Sequence, residues 1–534
     1  MLKHKFSTIS VIVLLIAGIL VGMQINLFSD DNIYEQLNKF KDVLSYTKKY
    51  YVDEVDTQKL VASAITGMLK ELDPHSVYIP PKQLEKIQED FRGSFEGIGI
   101  EFNVLHDTLT VVTPIFGGPS EKVGIQAGDK IIAIDSVDCI GITNQEVQKK
   151  LRGPKGTRVN VTIVRTGVPK PLEFEIIRDK IPLYSVDAAF LTDGDIGYVT
   201  VNRFSQTTSQ ELVQALRRLR GEGMKKLVLD LRFNPGGYLE QAFRVSDQFL
   251  KAGQKIVFTK GRRPEFDDTF LATGRGEFQH IPLIILVSNS SASASEIVAG
   301  AIQDHDRGLI VGETTFGKGL VQRQFELSDG SAFRLTTARY YTPSGRLIQR
   351  PYEGQTPKEY YRAAYRHAEK DMKNIFHKAE SDSSRPVFET DGGRKVYGDG
   401  GITPDYIVPS GKLQEYAAKG RQFVYEFVRG YMDNARPPFP ERYARNEAVR
   451  FINEFTVSDA LLQEYVKFLE TKDIAFNEEQ FNTDKVYIAA LLKAQIARNL
   501  FGNEGYFRAM LAVDKQFKKA VELFPEAMKI AGLN

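Results

Sequence analysis

The chain has 534 residues, of which 42% are hydrophobic and 26% charged, an ordinary globular balance at a length that suits three or four domains. Its net charge of +2 gives no sign of a nucleic-acid partner or a strongly acidic substrate. The single cysteine, Cys139, excludes an intramolecular disulfide and a Cys-based metal site. It lies too far from the N-terminus for a lipid-modified cysteine anchor, and in "KIIAIDSVDCI" it reads as a small buried hydrophobe.

At the N-terminus, Lys3 and Lys5 precede a stretch without charge from Phe6 to Ser29, centred on "VIVLLIAGILVGM". Basic residues ahead of an apolar run are the layout of an export signal or membrane anchor. The uncharged stretch is long enough to span a bilayer and shows no convincing A-x-A cleavage site. An uncleaved anchor over 1–29 is therefore expected, with a signal peptide as the alternative. Residues 31–90 read helical: "YEQLNKFKDVLSYTKKYY" and "TQKLVASAITGMLKEL" carry apolar residues at three-four spacing, and the prolines of "LDPHSVYIPP" break the pattern. Residues 91–179 change texture to short alternating runs such as "IGIEFNVL", "LTVVTPI" and "RVNVTIVRTG", with one helix at "TNQEVQKKLRG"; this is a compact β-rich module. Residues 181–410 alternate apolar strands ("IGYVTVNRF", "KKLVLDLR", "IPLIILVS", "RGLIVGE") with helices ("TSQELVQALRRLRGEG", "YLEQAFRVSDQFL", "SEIVAGAIQDH"), the pattern of an α/β layer with a mostly parallel sheet. "AESDSSRP" (379–386) is the best loop candidate there, and 411–534 is charged, aromatic-rich and mostly helical by period.

"SNSSASASEIVAG" (288–300) falls between a strand and a helix, so it is a turn rather than a linker. Serines at a helix start cap free N–H groups, and Ser291, Ser293 and Ser295 can all be read that way. The same position suits a nucleophile, because free N–H groups and the helix dipole stabilise developing negative charge. A nucleophile needs a base. His305, in or just after the following helix, is not placed for a triad. Lys318, between two glycines in "GETTFGKGLVQRQ", serves if burial keeps it neutral; a single lysine is otherwise a solvated surface charge.

The segments "LDPHSVYI", "FEGIGIEF", "AGDKIIAID", "LRGPKGT", "LVLDLRFNPGG", "SASASEIVAGAIQD", "VGETTFGKGLVQ" and "GDGGITPD" run in order from about residue 70 to 410. In these the chain closely resembles the C-terminal processing (tail-specific) proteases, serine peptidases of family S41. The resemblance implies a crotonase-like, Clp-type α/β protease core with an inserted PDZ domain and helical N- and C-terminal regions. It implies Ser293 as nucleophile, Lys318 as general base and Gln322 as the group that positions the lysine. A Lys-to-Gln spacing of four fits one helical turn. It further implies backbone oxyanion donors at Ala294 and the Gly236/Gly237 pair, a carboxylate loop and added-strand edge at Phe95, Gly97, Ile98, Gly99 and Ile100, and a coupling role for Arg152. No metal and no cofactor are implied.

The expected activity is an endopeptidase that cleaves proteins near their C-termini after the PDZ domain takes the tail by β-augmentation. The expected setting is the cell envelope, anchored in the inner membrane facing the periplasm or secreted there, with protein substrates and a regulatory partner or second copy as partners and no nucleic acid. The alternatives are an inactive PDZ scaffold and a Ser-Lys amidase acting on cell-wall peptides. Two positions depart from the family pattern: Phe233 and Asp399 stand where glycine is usual.

Overall fold

The structure, a computed structural model, describes residues 32–192, 194–363, 385–444 and 446–533. The expected anchor over 1–29 and most of the expected loop at 379–386 lie outside these residues. Among the described residues no helix is long and apolar enough to cross a membrane.

The described residues up to Leu72 form one unit. Its helices are α1 (Ile33–Tyr50), capped by the Asn32 side chain, and α2 (Thr57–Lys70), capped by Asp56. Asp73 onward forms the second unit. It begins with strand β1 (Val77–Ile79) and helix α3 (Pro81–Arg92), which starts on a proline and ends at Gly93 in the left-handed conformation.

A β-rich module follows. Strands β2 (Ser94–Gly97), β3 (Ile100–Leu105), β4 (Thr108–Pro114), β5 (Lys130–Ile134), helix α4 (Asn144–Leu151), and strands β6 (Arg158–Val164), β7 (Leu172–Ile177) and β8 (Asp179–Pro182) come in that order. The sheet runs β3-β4-β5-β6-β7, leaving β3 at its edge, while β2 and β8 pair antiparallel. Alternation along β6 places Val159, Val161 and Ile163 in the module's core and Arg158 and Asn160 in water.

Next come β9 (Val186–Leu191), β10 (Ile196–Val201), α5 (Thr208–Gly221), β11 (Lys226–Asp230), α6 (Leu239–Asp247), β12 (Lys255–Gly261), β13 (Asp268–Leu271), β14 (Leu283–Val287), α7 (Ala294–Asp304), β15 (Leu309–Gly312), β16 (Leu320–Glu326), β17 (Ala332–Tyr341) and β18 (Tyr406–Ile407). The central sheet is ordered β9-β10-β11-β14-β15-β18, parallel except for β9. Both faces are covered, which is why its strands read as continuous apolar runs. Val199, Leu227, Leu229, Ile285 and Val287 pack under α5, α6 and α7. The alternate residues Tyr198, Val228, Ile284, Leu286 and Val311 face the C-terminal helices α8 (Lys515–Glu522) and α9 (Phe524–Ile530) through Phe517, Leu523 and Phe524. A second, antiparallel sheet, β1-β17-β12-β13 with β16 added to β17, flanks the first. Nothing in the strand pattern of the sequence separates this sheet from the core. Residues 416–510 form a helical bundle with its own aromatic core, including Tyr416, Phe427, Phe439, Phe451, Tyr465 and Phe481.

Candidate active site

The serine turn joins β14 to α7, and its hydroxyls have separate fates. Ser291 Oγ donates to the Leu231 carbonyl (2.8 Å) and Ser295 Oγ to that of Asn234 (2.9 Å); both residues are fully buried. Ser293 stands at the N-terminus of α7 with φ 54° and ψ −112°, a conformation rare for any residue with a side chain. Its hydroxyl donates to no acceptor among the described residues, and Ser293 lines a cavity of about 1000 Å³. Lys318 and Gln322 line the same cavity.

Glu296, fully buried one turn into α7, ties the two halves of the site together. Its carboxylate accepts the N–H of Ser293 (2.8 Å), Gly317 (2.7 Å) and Lys318 (2.9 Å) and the hydroxyl of Thr315 (2.5 Å). Burial pushes its carboxyl up, and these four donors oppose that shift. The Tyr340 hydroxyl adds a second tie, reaching the carbonyls of Ser293 (3.1 Å) and Lys318 (2.6 Å).

Lys318 Nζ donates to Gln322 Oε1 at 3.0 Å. The pair does not share a helical turn: Lys318 ends the loop before β16 and Gln322 lies on that strand, just past an irregularity between Val321 and Gln322. The long lysine side chain spans the gap that a turn of helix would have closed. Gln322 is itself held, since its Nε2 donates to the backbone carbonyl of His75. His75 sits over a compact turn in which Asp73 accepts the N–H of His75 (2.7 Å) and Ser76 (2.9 Å), and its Nε2 lies 3.0 Å from the Tyr360 hydroxyl. Burial, and then the neighbouring Lys318, hold the His75 imidazole down to about 4, so it is neutral at working pH. Spacing along the chain could not have revealed His75 or Tyr360 as supports of Gln322. The proximity of "DPHS" to the site emerges only in three dimensions.

Burial lowers the Lys318 ammonium to about 8; the Arg334 guanidinium acts in the same direction, while Glu296 and Asp73 oppose it. His305, by contrast, is bound to Asp391 (2.7 Å) and the Lys255 carbonyl (2.7 Å) and does not line the cavity.

The "NPGG" turn closes over the serine. A Cβ at Gly236 would stand 2.8 Å from Ser293 Cβ and 2.9 Å from Ala294 N, so only glycine fits there. The expectation for this turn needs one correction. The Gly236 N–H is already given to Asn234 Oδ1 (2.9 Å), which leaves the amides of Ala294 and Gly237 as donors without an acceptor among the described residues. Phe233 (φ 61°) and Asp399 (φ 49°) both adopt the left-handed backbone that the usual glycine would take without strain.

In the β-rich module, Phe95, Ile98, Gly99 and Ile100 line a groove of about 310 Å³ with Asn144, Gln148, Leu151 and Arg152. Gly97 does not belong to it. Its backbone pairs with Asp179 of β8 and bridges Arg152, which takes it out of the expected carboxylate loop. The Arg152 guanidinium lies 4.5 Å from the centroid of the Phe95 ring and 2.5 Å from Glu89 on α3.

The model of peptidase family S41 matches residues 195–359, and a PDZ domain model matches 110–165. The "activating protease CtpB N-terminal domain" model matches 23–82, and a family of unknown function matches 416–502. The carboxy-terminal-processing protease of Bartonella bacilliformis is 42% identical over 335 residues, covering 62% of this chain and 76% of that one. The carboxy-terminal processing protease CtpA of Bacillus subtilis is 36% identical over 324 residues, 60% of this chain and 67% of that one. Among solved structures, the photosystem II D1 C-terminal processing protease shares 31% identity over 58% of this chain and 89% of its own, with a TM-score of 0.33. On the two relatives from Bartonella bacilliformis and Bacillus subtilis, the chain belongs to the carboxy-terminal processing proteases, serine peptidases of family S41.

Proposed function

We propose that this protein is an exported endopeptidase working through a Ser293–Lys318 dyad. One observation carries the reading: of the alternating serines, Ser291 and Ser295 spend their hydroxyl protons on backbone carbonyls while Ser293 donates to no acceptor among the described residues, and it shares a cavity with a buried lysine lowered to about 8. Ser293 Oγ attacks the scissile carbonyl while neutral Lys318 takes its proton and passes it to the leaving amine; water then releases the acyl group by the same route. The Ala294 and Gly237 amides receive the oxyanion. Gln322, anchored on His75, fixes the lysine. The direct Ser293–Lys318 hydrogen bond is not made here, and such bonds commonly close only around substrate.

The module at 91–179 takes substrate tails, the core at 181–410 cuts, and 411–534 braces both. A tail adds to the β3 edge with its carboxylate near Phe95 and Ile98. Arg152, joining that groove to α3, couples the two sites, because Gln88, Asp90 and Phe91 of α3 line the catalytic cavity. Lys3 and Lys5 before the uncharged stretch support placement in the envelope, anchored in the inner membrane or released to the periplasm.

A serine-reactive phosphonate probe followed by peptide mapping tests the assignment. Label on Ser293, lost in Ser293→Ala, together with loss of cleavage in that variant is expected; label on Ser291 or Ser295 would contradict it. Amidating a substrate's C-terminus should weaken its binding to the full-length protein, and equal binding of acid and amide would remove tail recognition.

A further inference from the structure

The catalytic cavity carries more positive charge than the chemistry uses. Arg92, Arg203 and Arg334 line it beside Lys318, against the single carboxylate of Asp90. Asp90 is engaged by Arg203 at 3.3 Å. Arg334 has no carboxylate partner among the described residues. It sits on β17 opposite Gln324, two positions from the Thr336–Gln322 pair, so strand alternation puts it on the face that carries Gln322, roughly 7 Å along the strand. Its guanidinium lies 5.2 Å from the centroid of the Phe91 ring, and the Tyr238 ring stands edge-on to Phe91 at 4.8 Å. A planar guanidinium seated on an aromatic face, open to the cavity and free of an internal anion, is prearranged for a carboxylate.

We propose that Arg334, backed by Phe91 and Tyr238, is a carboxylate-recognising subsite of the catalytic cavity that selects peptides bearing a negative charge beside the scissile bond. This rests on the reading of Ser293 as the nucleophile. The carboxylate comes either from an acidic side chain or from a chain terminus lying close to the cut. A purely internal role for Arg334, as a charge that keeps Lys318 neutral, would give no such selectivity.

The test uses the full-length enzyme and peptide sets in which one position, scanned from three residues before the cut to three after it, is Glu, Gln or Lys. Each peptide is made with a free or an amidated C-terminus. At one position the wild type should favour Glu over Gln by about tenfold in kcat/KM. That ratio should collapse towards one in Arg334→Gln, recover partly in Arg334→Lys, and invert in favour of a Lys-containing peptide in Arg334→Glu. Because each enzyme is compared with itself, a variant that folds less well still reports its ratio. A free-acid preference confined to cuts next to the terminus, and abolished by Arg334→Gln, would identify a terminal carboxylate as the ligand. A wild-type ratio near one throughout, or a preference that survives Arg334→Gln, would overturn the proposal. Cleavage persisting in Ser293→Ala would instead strike the dyad itself, a separate and recognisable failure.

Discussion

In the proposed dyad Lys318 serves only while neutral, and its surroundings decide when that is. Burial and Arg334 hold it near 8, Glu296 and Asp73 pull it upward, and His75 stays uncharged. Below that value the ammonium form dominates and cannot accept the serine proton. The acidic limb of kcat/KM against pH should therefore rise with a midpoint near 8. Removing the positive charge in Arg334→Gln should move that limb to higher pH. Lys318→Arg should be inactive at every pH tested, because arginine stays protonated, while His305→Ala keeps its activity. An active Lys318→Arg would end the lysine mechanism. A different residue-scale effect sits at Phe233, which holds a left-handed backbone with its ring 72% exposed. Little packing is lost by trimming that ring, so Phe233→Gly should raise unfolding stability by about 1 kcal/mol in denaturant titration. Asp399→Gly should gain less, since aspartate tolerates this conformation better than phenylalanine does.

At the scale of elements, α7 and the loop before β16 are fastened through one carboxylate. Glu296→Gln keeps the volume but replaces an acceptor oxygen with an NH₂ that faces two donors. We expect a loss of about 2–3 kcal/mol in chemical denaturation and at least tenfold slower labelling of Ser293. Near-normal labelling would show that Tyr340 alone suffices to join the halves. The sequence revealed the elements of the central sheet because strands such as Leu283–Val287 are buried on both faces and so read as unbroken apolar runs. It hid the second sheet for the opposite reason: β16, "LVQRQFE", is mostly exposed or half-buried, and its charge pattern carries no strand signal. The same concealment explains the Lys318–Gln322 pair, whose spacing suits a helix while the chain there is loop and strand. The resemblance pointed to Gly236 as an oxyanion donor, but the capture of its N–H by Asn234 depends on a side-chain rotamer that no spacing encodes. Gly97 was drawn into the groove by its neighbours in "FEGIGI", although strand pairing turns it elsewhere.

Over the whole molecule, the C-terminal helices are structural partners of the catalytic turn. Arg232, one residue before Phe233, binds Asp230 (2.6 Å) and reaches Asp514 (2.7 Å) and Gln516 (2.8 Å) at the start of α8. The Tyr198 hydroxyl closes this buried cluster on Asp230 at 2.7 Å. A chain ending at Ala512 would lose that cluster and uncover the sheet face now under Phe517, Leu523 and Phe524. At about 1.5–3 kcal/mol for each large apolar side chain, this is comparable to the whole stability of a typical domain. Circular dichroism and limited proteolysis should find the protease core of that truncated chain unfolded, and a melting curve like that of the full-length protein would refute the bracing role. The same long-distance wiring bears on the time at which the enzyme becomes dangerous. Gln322 rests on a carbonyl 247 residues earlier, and His75 meets a tyrosine 285 residues later. A nascent chain synthesised only as far as Ser293 lacks Lys318 and Gln322, Tyr360 behind His75, and the helix whose start binds Arg232. If Ser293 and Lys318 form the proposed dyad, cleavage should therefore begin only after the segments that follow Ser293 have joined the fold.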